Sequence, residues 1–144
     1  MNNQSSTHSF KALTQYFQQV NAVDVPHTGK SYLAHAIGVY RDLKAWGWTD
    51  TDARAGLFHS IYGTEFQMYK TIVTREEVQS IIGERSEYIA NLFCTLEDRV
   101  HTILYGKGIK DPDKTTLRWL EYCNIKDQDP SASILKEFEI VLHI

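Results

Sequence analysis

The stretch ARAGLFHSI, residues 53–61, is apolar on almost every side of a helix. A helix of that kind has no face to offer water, so it has to lie at the centre of a domain with other helices wrapped round it. This constrains the fold more than any other feature of the chain. A chain of 144 residues can meet the demand alone, because at that size it buries about two thirds of its unfolded surface and needs no disulfide or structural metal.

The helices that do the wrapping are legible as apolar residues spaced three and four apart. Phe10, Leu13, Phe17 and Val20 follow a capping Ser9, and Pro26 then disfavours a helical Val25. A second helix is expected from about Thr28 to Trp46, stopped by Gly47. On its wheel Tyr32, His35, Ala36, Val39, Leu43 and Trp46 fall within about 60° of one another, so His35 points inward. The central helix is capped by Thr49 or Asp50 and ends at Gly63, and TEFQMYKTIV connects it onward. Thr74 with Glu77 forms a capping box for a short helix ending at Gly83. A long helix is expected over residues 84–105, with Ile89, Leu92, Phe93, Leu96, Val100 and Ile103 on one stripe and Asn91, Cys94, Asp98, His101 and Tyr105 roughly opposite. Asp111–Pro112 and Asp129–Pro130 open the last two. The expected fold is therefore all-α, a single domain of six or seven helices over residues 1–144, with residues 1–8 a disordered tail.

Composition narrows the partners. The 15 Lys and Arg against 18 Asp and Glu give a net charge of -3 with no basic block, which argues against nucleic acid. No run approaches the roughly 18 apolar residues of a membrane span, and MNNQSSTHSF lacks the features of a signal peptide, so a cytoplasmic protein that avoids membranes is expected. Cys94 and Cys123, without a CxxC spacing, read as two reduced thiols. Oligomeric state is left open.

Chemistry in such a domain needs polar groups aimed into an apolar centre from several helices. His27, His35, His59, His101 and Asp98 qualify by position. Imidazole and carboxylate together suit iron, manganese or zinc, while a lone inward histidine equally suits a hydrogen-bonded core.

An inward histidine, a second one 24 residues later (59 minus 35) on a very apolar helix, and an acid on a later helix resemble the HD superfamily of metal-dependent phosphohydrolases. The resemblance covers about residues 28–101. LAHAIGVYRDL looks like the helix of the first ligand, His35. ARAGLFHSIYGTE looks like the helix of the His-Asp pair, with His59 its histidine. CTLEDRVHTI is similar to the last-ligand stretch of the alarmone hydrolases, which falls on Asp98. AGLFHSIYGTE, with IGERSEYIANLF after it, resembles one branch of HD-like proteins. The superfamily implies an all-α HD-like domain whose metal activates a water.

Two departures alter that expectation. Ser60 stands where the bridging aspartate belongs, and a neutral hydroxyl is a poor ligand for a hard cation. Tyr62 and Gly63 replace the acidic pair of the alarmone hydrolases. The expectation becomes one divalent transition metal, Fe, Mn or Zn, held by His35, His59 and Asp98 and completed by His27, in an enzyme acting on a small molecule by hydrolytic or other Lewis-acid or oxygen chemistry. Glu65 is the candidate base, with Ser60 and Tyr62 beside it, and Arg41, Arg99, Tyr40 and His101 are candidate substrate contacts. The alternative is a metal-free binding or interaction module in which the same cavity is held by hydrogen bonds.

Overall fold

The computed structural model describes residues 9–19, 26–27, 30–63 and 73–144. Within them the chain is helical: α1 (Phe10–Gln19), α2 (Tyr32–Ala45), α3 (Asp50–Leu57), α4 (Arg75–Ile82), α5 (Glu84–Thr95), α6 (Arg99–Tyr105), α7 (Asp111–Gln128) and α8 (Leu135–Leu142). A two-residue antiparallel pair, β1 (Pro26–His27) and β2 (Lys30–Ser31), precedes α2 with Pro26 opposite Ser31. Among the described residues no helix is long and apolar enough to cross a membrane.

The all-α expectation holds, and the eighth helix comes from a break in the expected long one. Leu96 is extended and Asp98 adopts the left-handed region at φ 48°, which turns the chain between α5 and α6. Aspartate tolerates that conformation better than most residues. Helix starts follow the expected cap chemistry: the hydroxyls of Ser9, Ser31, Thr49 and Thr74 accept from the backbone N–H three residues on. Only half of the capping box forms, because the Glu77 carboxylate accepts a hydrogen bond from Tyr16 on α1 instead. Trp46 was expected inside, yet it caps α2 with 42% of its surface exposed and leans on Trp119 at 4.8 Å between ring centroids.

The core has two parts. The larger joins α2 and α3 to α5, α6, α7 and α8 through Val39, Leu43, Phe93, Ile103, Leu117 and Phe138. The smaller gathers Leu13 and Phe17 of α1, Tyr32, Phe58, Val78 and Ile82. Burial of this extent supplies the main stabilisation of the fold, about 25 cal/mol for each Å² of apolar surface removed from water. α3 lies close on α2 because Gly56 has no side chain: a Cβ there would meet Leu43 Cδ1 at 2.6 Å. That approach brings the segment after α3 against the middle of α2.

Candidate functional site: the buried histidine pair and its acid

α3 is shorter than its apolar run. It ends at Leu57, and residues 58–63 continue as tight turns in which the amides of His59, Ile61 and Gly63 reach back three residues to Gly56, Phe58 and Ser60. His59 and Ser60 therefore stand just beyond the helix end, both buried. The His59 imidazole meets His35 of α2 edge to face, ring centroids 5.0 Å apart, and touches Phe93 on another side at 5.5 Å. The two histidines expected to face one another do so, at the seam between the two core clusters.

Their hydrogen bonds assign their protons. His59 Nδ1 lies 2.7 Å from the Gly56 carbonyl, an acceptor only, so Nδ1 carries a hydrogen. His35 is bracketed by oxygens, Asp127 Oδ2 at 2.6 Å from Nδ1 and Asn124 Oδ1 at 2.7 Å from Nε2. The orientation of Asn124 is fixed by its other end. Its Nδ2 donates to Glu121 Oε1 at 2.7 Å, and a carboxylate cannot return that bond, so the amide oxygen has to face His35. Both ring nitrogens of His35 thus face oxygens, with the Gln128 amide nitrogen also 3.4 Å from Nε2, and the two acceptors favour an imidazolium.

Its charge is balanced along one line. Arg99 at the start of α6 donates through Nε to Glu121 Oε2 at 2.6 Å and lies over the Phe93 ring at 4.3 Å. The chain Arg99–Glu121–Asn124–His35–Asp127 thus holds two positive and two negative groups joined by charge-assisted hydrogen bonds. α7 supplies Glu121, Asn124 and Asp127 at intervals of three residues, which puts them on one face.

The other candidates are placed as follows. Asp98 is exposed at the N-terminal cap of α6, and the acid on His35 is Asp127. His101 is exposed and stacks on Tyr105. Tyr62 is half-buried and donates to Glu87 Oε2 at 2.7 Å, where Arg75 donates to both carboxylate oxygens. Burial and then Glu87 push the Tyr62 hydroxyl up. Burial also pushes the Glu87 carboxyl up, but the bonds from Arg75 and Tyr62 outweigh it and hold the group below its ordinary range. Tyr40 donates to Asp50 Oδ1 at 3.1 Å, away from the histidines. Arg99 serves as an internal counter-ion, whereas Arg41 is exposed on α2. Glu65 and the side chain of His27 lie outside the described residues.

Of the expected ligand triad the structure brings His35 and His59 together and leaves Asp98 apart from them. Both nitrogens of His35 face oxygens, and Asp98 faces solvent at a different turn. Among the described residues no three His, Cys, Asp or Glu side chains gather as a ligand group.

Asp127 also leads outward. Its second oxygen sits against Gly38, where a Cβ would come within 2.3 Å of Oδ1. The same carboxylate lines a cleft of about 420 Å³ in which Gly38, Arg41, Asp42 and Ala45 of α2 face Lys126 and Asp127 of α7.

A family described as Domain of unknown function (DUF6817) matches residues 16–99, more than half of the 144 residues. The chain belongs to that family. No curated protein and no solved structure matches it. The DUF6817 match runs from α1 to the first residue of α6 and takes in His35, His59, Ser60 and Arg99. Glu121, Asn124 and Asp127 follow it in the chain. Sequence reading missed these three. Their signal was the spacing ExxNxxD, but polar residues at helical spacing ordinarily mark a solvated face.

Proposed function

We propose that this domain is a metal-independent binding module for a small polar molecule, built on an HD-like plan in which the first histidine has become a fixed buried cation. The observation that carries the reading is the pair of hydrogen bonds from His35 to Asp127 and Asn124. A metal-ligating imidazole has to offer a lone pair, and the usual outer partner of such a ring accepts from one nitrogen, not both. The juxtaposition of His35 and His59 is what supports the HD-like plan. The link from His35 through Asp127 to an open cleft supports ligand binding over a purely structural role.

A second reading rests on His59. Its Nδ1–H donates to a carbonyl, as in metal-ligating histidines. In that reading His59 is a ligand and His35 is its neighbour.

Long-range ¹H–¹⁵N spectra of histidine-labelled protein at pH 7 separate the two. The module reading expects two protonated nitrogens on His35 and no perturbation of His59 when manganese or zinc is added in slight excess. A His35 lone pair at pH 7 overturns it. So does stoichiometric metal that His59→Ala releases and His8→Ala retains.

A further inference from the structure

We infer that the cleft between α2 and the end of α7 is a site for a small zwitterion, a molecule carrying an ammonium group and a carboxylate or phosphate a few bonds apart. The inference deepens the module reading and rests on it, since it takes the Asp127 carboxylate as already matched by the His35 imidazolium.

The charges in the cleft are mixed in a definite way. Arg41 is exposed, and among the described residues no hydrogen bond or ion pair engages it. Lys126, whose ammonium also lies 5.7 Å from the centre of the Tyr122 ring, faces it from α7, so each wall carries a cation. Asp42, next to Arg41 on α2, adds an acid to the cleft; its carboxylate takes a hydrogen bond from the Cys123 thiol and keeps further acceptor capacity. α7 ends at Gln128, so its last carbonyls, the negative end of the helix dipole, lie at the same side as Lys126 and Asp127. A bare anion would meet repulsion from Asp42 and the helix end, and a bare cation would meet Arg41. A ligand with both signs finds a partner for each, and electrostatic complementarity of this kind sets specificity. The dimensions agree: about 420 Å³ falls in the range of small-molecule sites, with Gly38 and Ala45 leaving the floor open.

The test is a titration of the full ¹⁵N-labelled chain followed by amide shifts. Glycine and O-phosphoethanolamine are the zwitterions, carboxylate and phosphate respectively, and acetate, inorganic phosphate and ethylamine are the single-charge controls. Saturable shifts confined to residues 38–45 and 126–130 are expected for one or both zwitterions, with affinity at least about tenfold above every control. Whichever zwitterion saturates at lower concentration identifies the anionic group. Arg41→Ala and Asp42→Asn, both at the protein surface, are each expected to weaken binding by about tenfold while the rest of the spectrum stays in place. The inference is overturned if neither zwitterion saturates by about 10 mM, if inorganic phosphate or ethylamine binds as well as the zwitterions, or if Arg41→Ala leaves affinity unchanged. The cleft can fail these tests while the His35 spectra still show two protonated nitrogens, so failure of the cleft and failure of the module reading are distinguishable.

Discussion

Asp127→Asn removes one charge from the buried line and leaves its shape almost unchanged. The His35 side chain is fully buried and that of Asp127 is 16% exposed, with 2.6 Å between Nδ1 and Oδ2. A hydrogen bond to a charged group contributes about 1.5–3 kcal/mol net, and breaking a buried ion pair by removing one partner costs about 3–5 kcal/mol. The asparagine oxygen still accepts from Nδ1–H, so the cost should sit in the upper part of the first range, about 2–3 kcal/mol. For a domain of this size each kcal/mol lowers the melting temperature by about 3 °C, giving a fall of about 6–9 °C. Urea unfolding at pH 7, followed by circular dichroism on wild type, Asp127→Asn, His35→Gln and the double variant, isolates the pair. A coupling of at least about 1 kcal/mol is expected. A coupling below about 0.5 kcal/mol would refute the argument that His35 is held as an imidazolium by Asp127, because a neutral ring has little to lose when its neighbour is neutralised.

Three other outcomes follow from the same geometry. Gly38→Ala should destabilise by about 1–2 kcal/mol, although alanine normally stabilises a helix interior by up to about 1 kcal/mol, because its Cβ would sit 2.3 Å from an Asp127 oxygen that His35 pins in place; in an Asp127→Ala background the sign should reverse, as thermal melts will show. Glu87 has its folded-state carboxyl held low, so its contribution is present above the ordinary carboxylate range and is lost as pH falls through the lower folded value; Glu87→Gln should flatten the acid side of a stability–pH curve while leaving its shape near pH 8 unchanged. Burial pushes the Cys94 thiol, which donates to the His59 carbonyl at 3.0 Å, up to about 12, and burial pushes Cys123 higher still. Alkylation by iodoacetamide at pH 8 should therefore run far slower than for a free thiol, and a fast-reacting equivalent in the native protein would show that one of the two thiols is not shielded in this way.

Much of the candidate site was legible in outline and little of it in partnership. His35 could be placed inward because Ala36 and Val39 share its face, and His59 because its surroundings are apolar. Asp98 was misplaced because a single left-handed residue rotates everything after it, and periodicity continued through the break. Arg99 reads in sequence as a candidate substrate contact, and the structure pairs it with Glu121, a residue 22 positions later with no exposed surface.

The sequence by itself determined the helical class, the caps at Ser9, Thr49 and Thr74, and the central position of residues 53–61, while the second helix starts at Tyr32 behind Ser31 and not at about Thr28. These follow from side-chain spacing and local hydrogen bonding within three or four residues. The tertiary structure alone decided what His35 meets, because its two oxygen partners lie 89 and 92 residues away on α7. No local pattern links residues so far apart. What links them is the packing of α7 on α2, and that depends on Gly38 leaving room for the aspartate beside it.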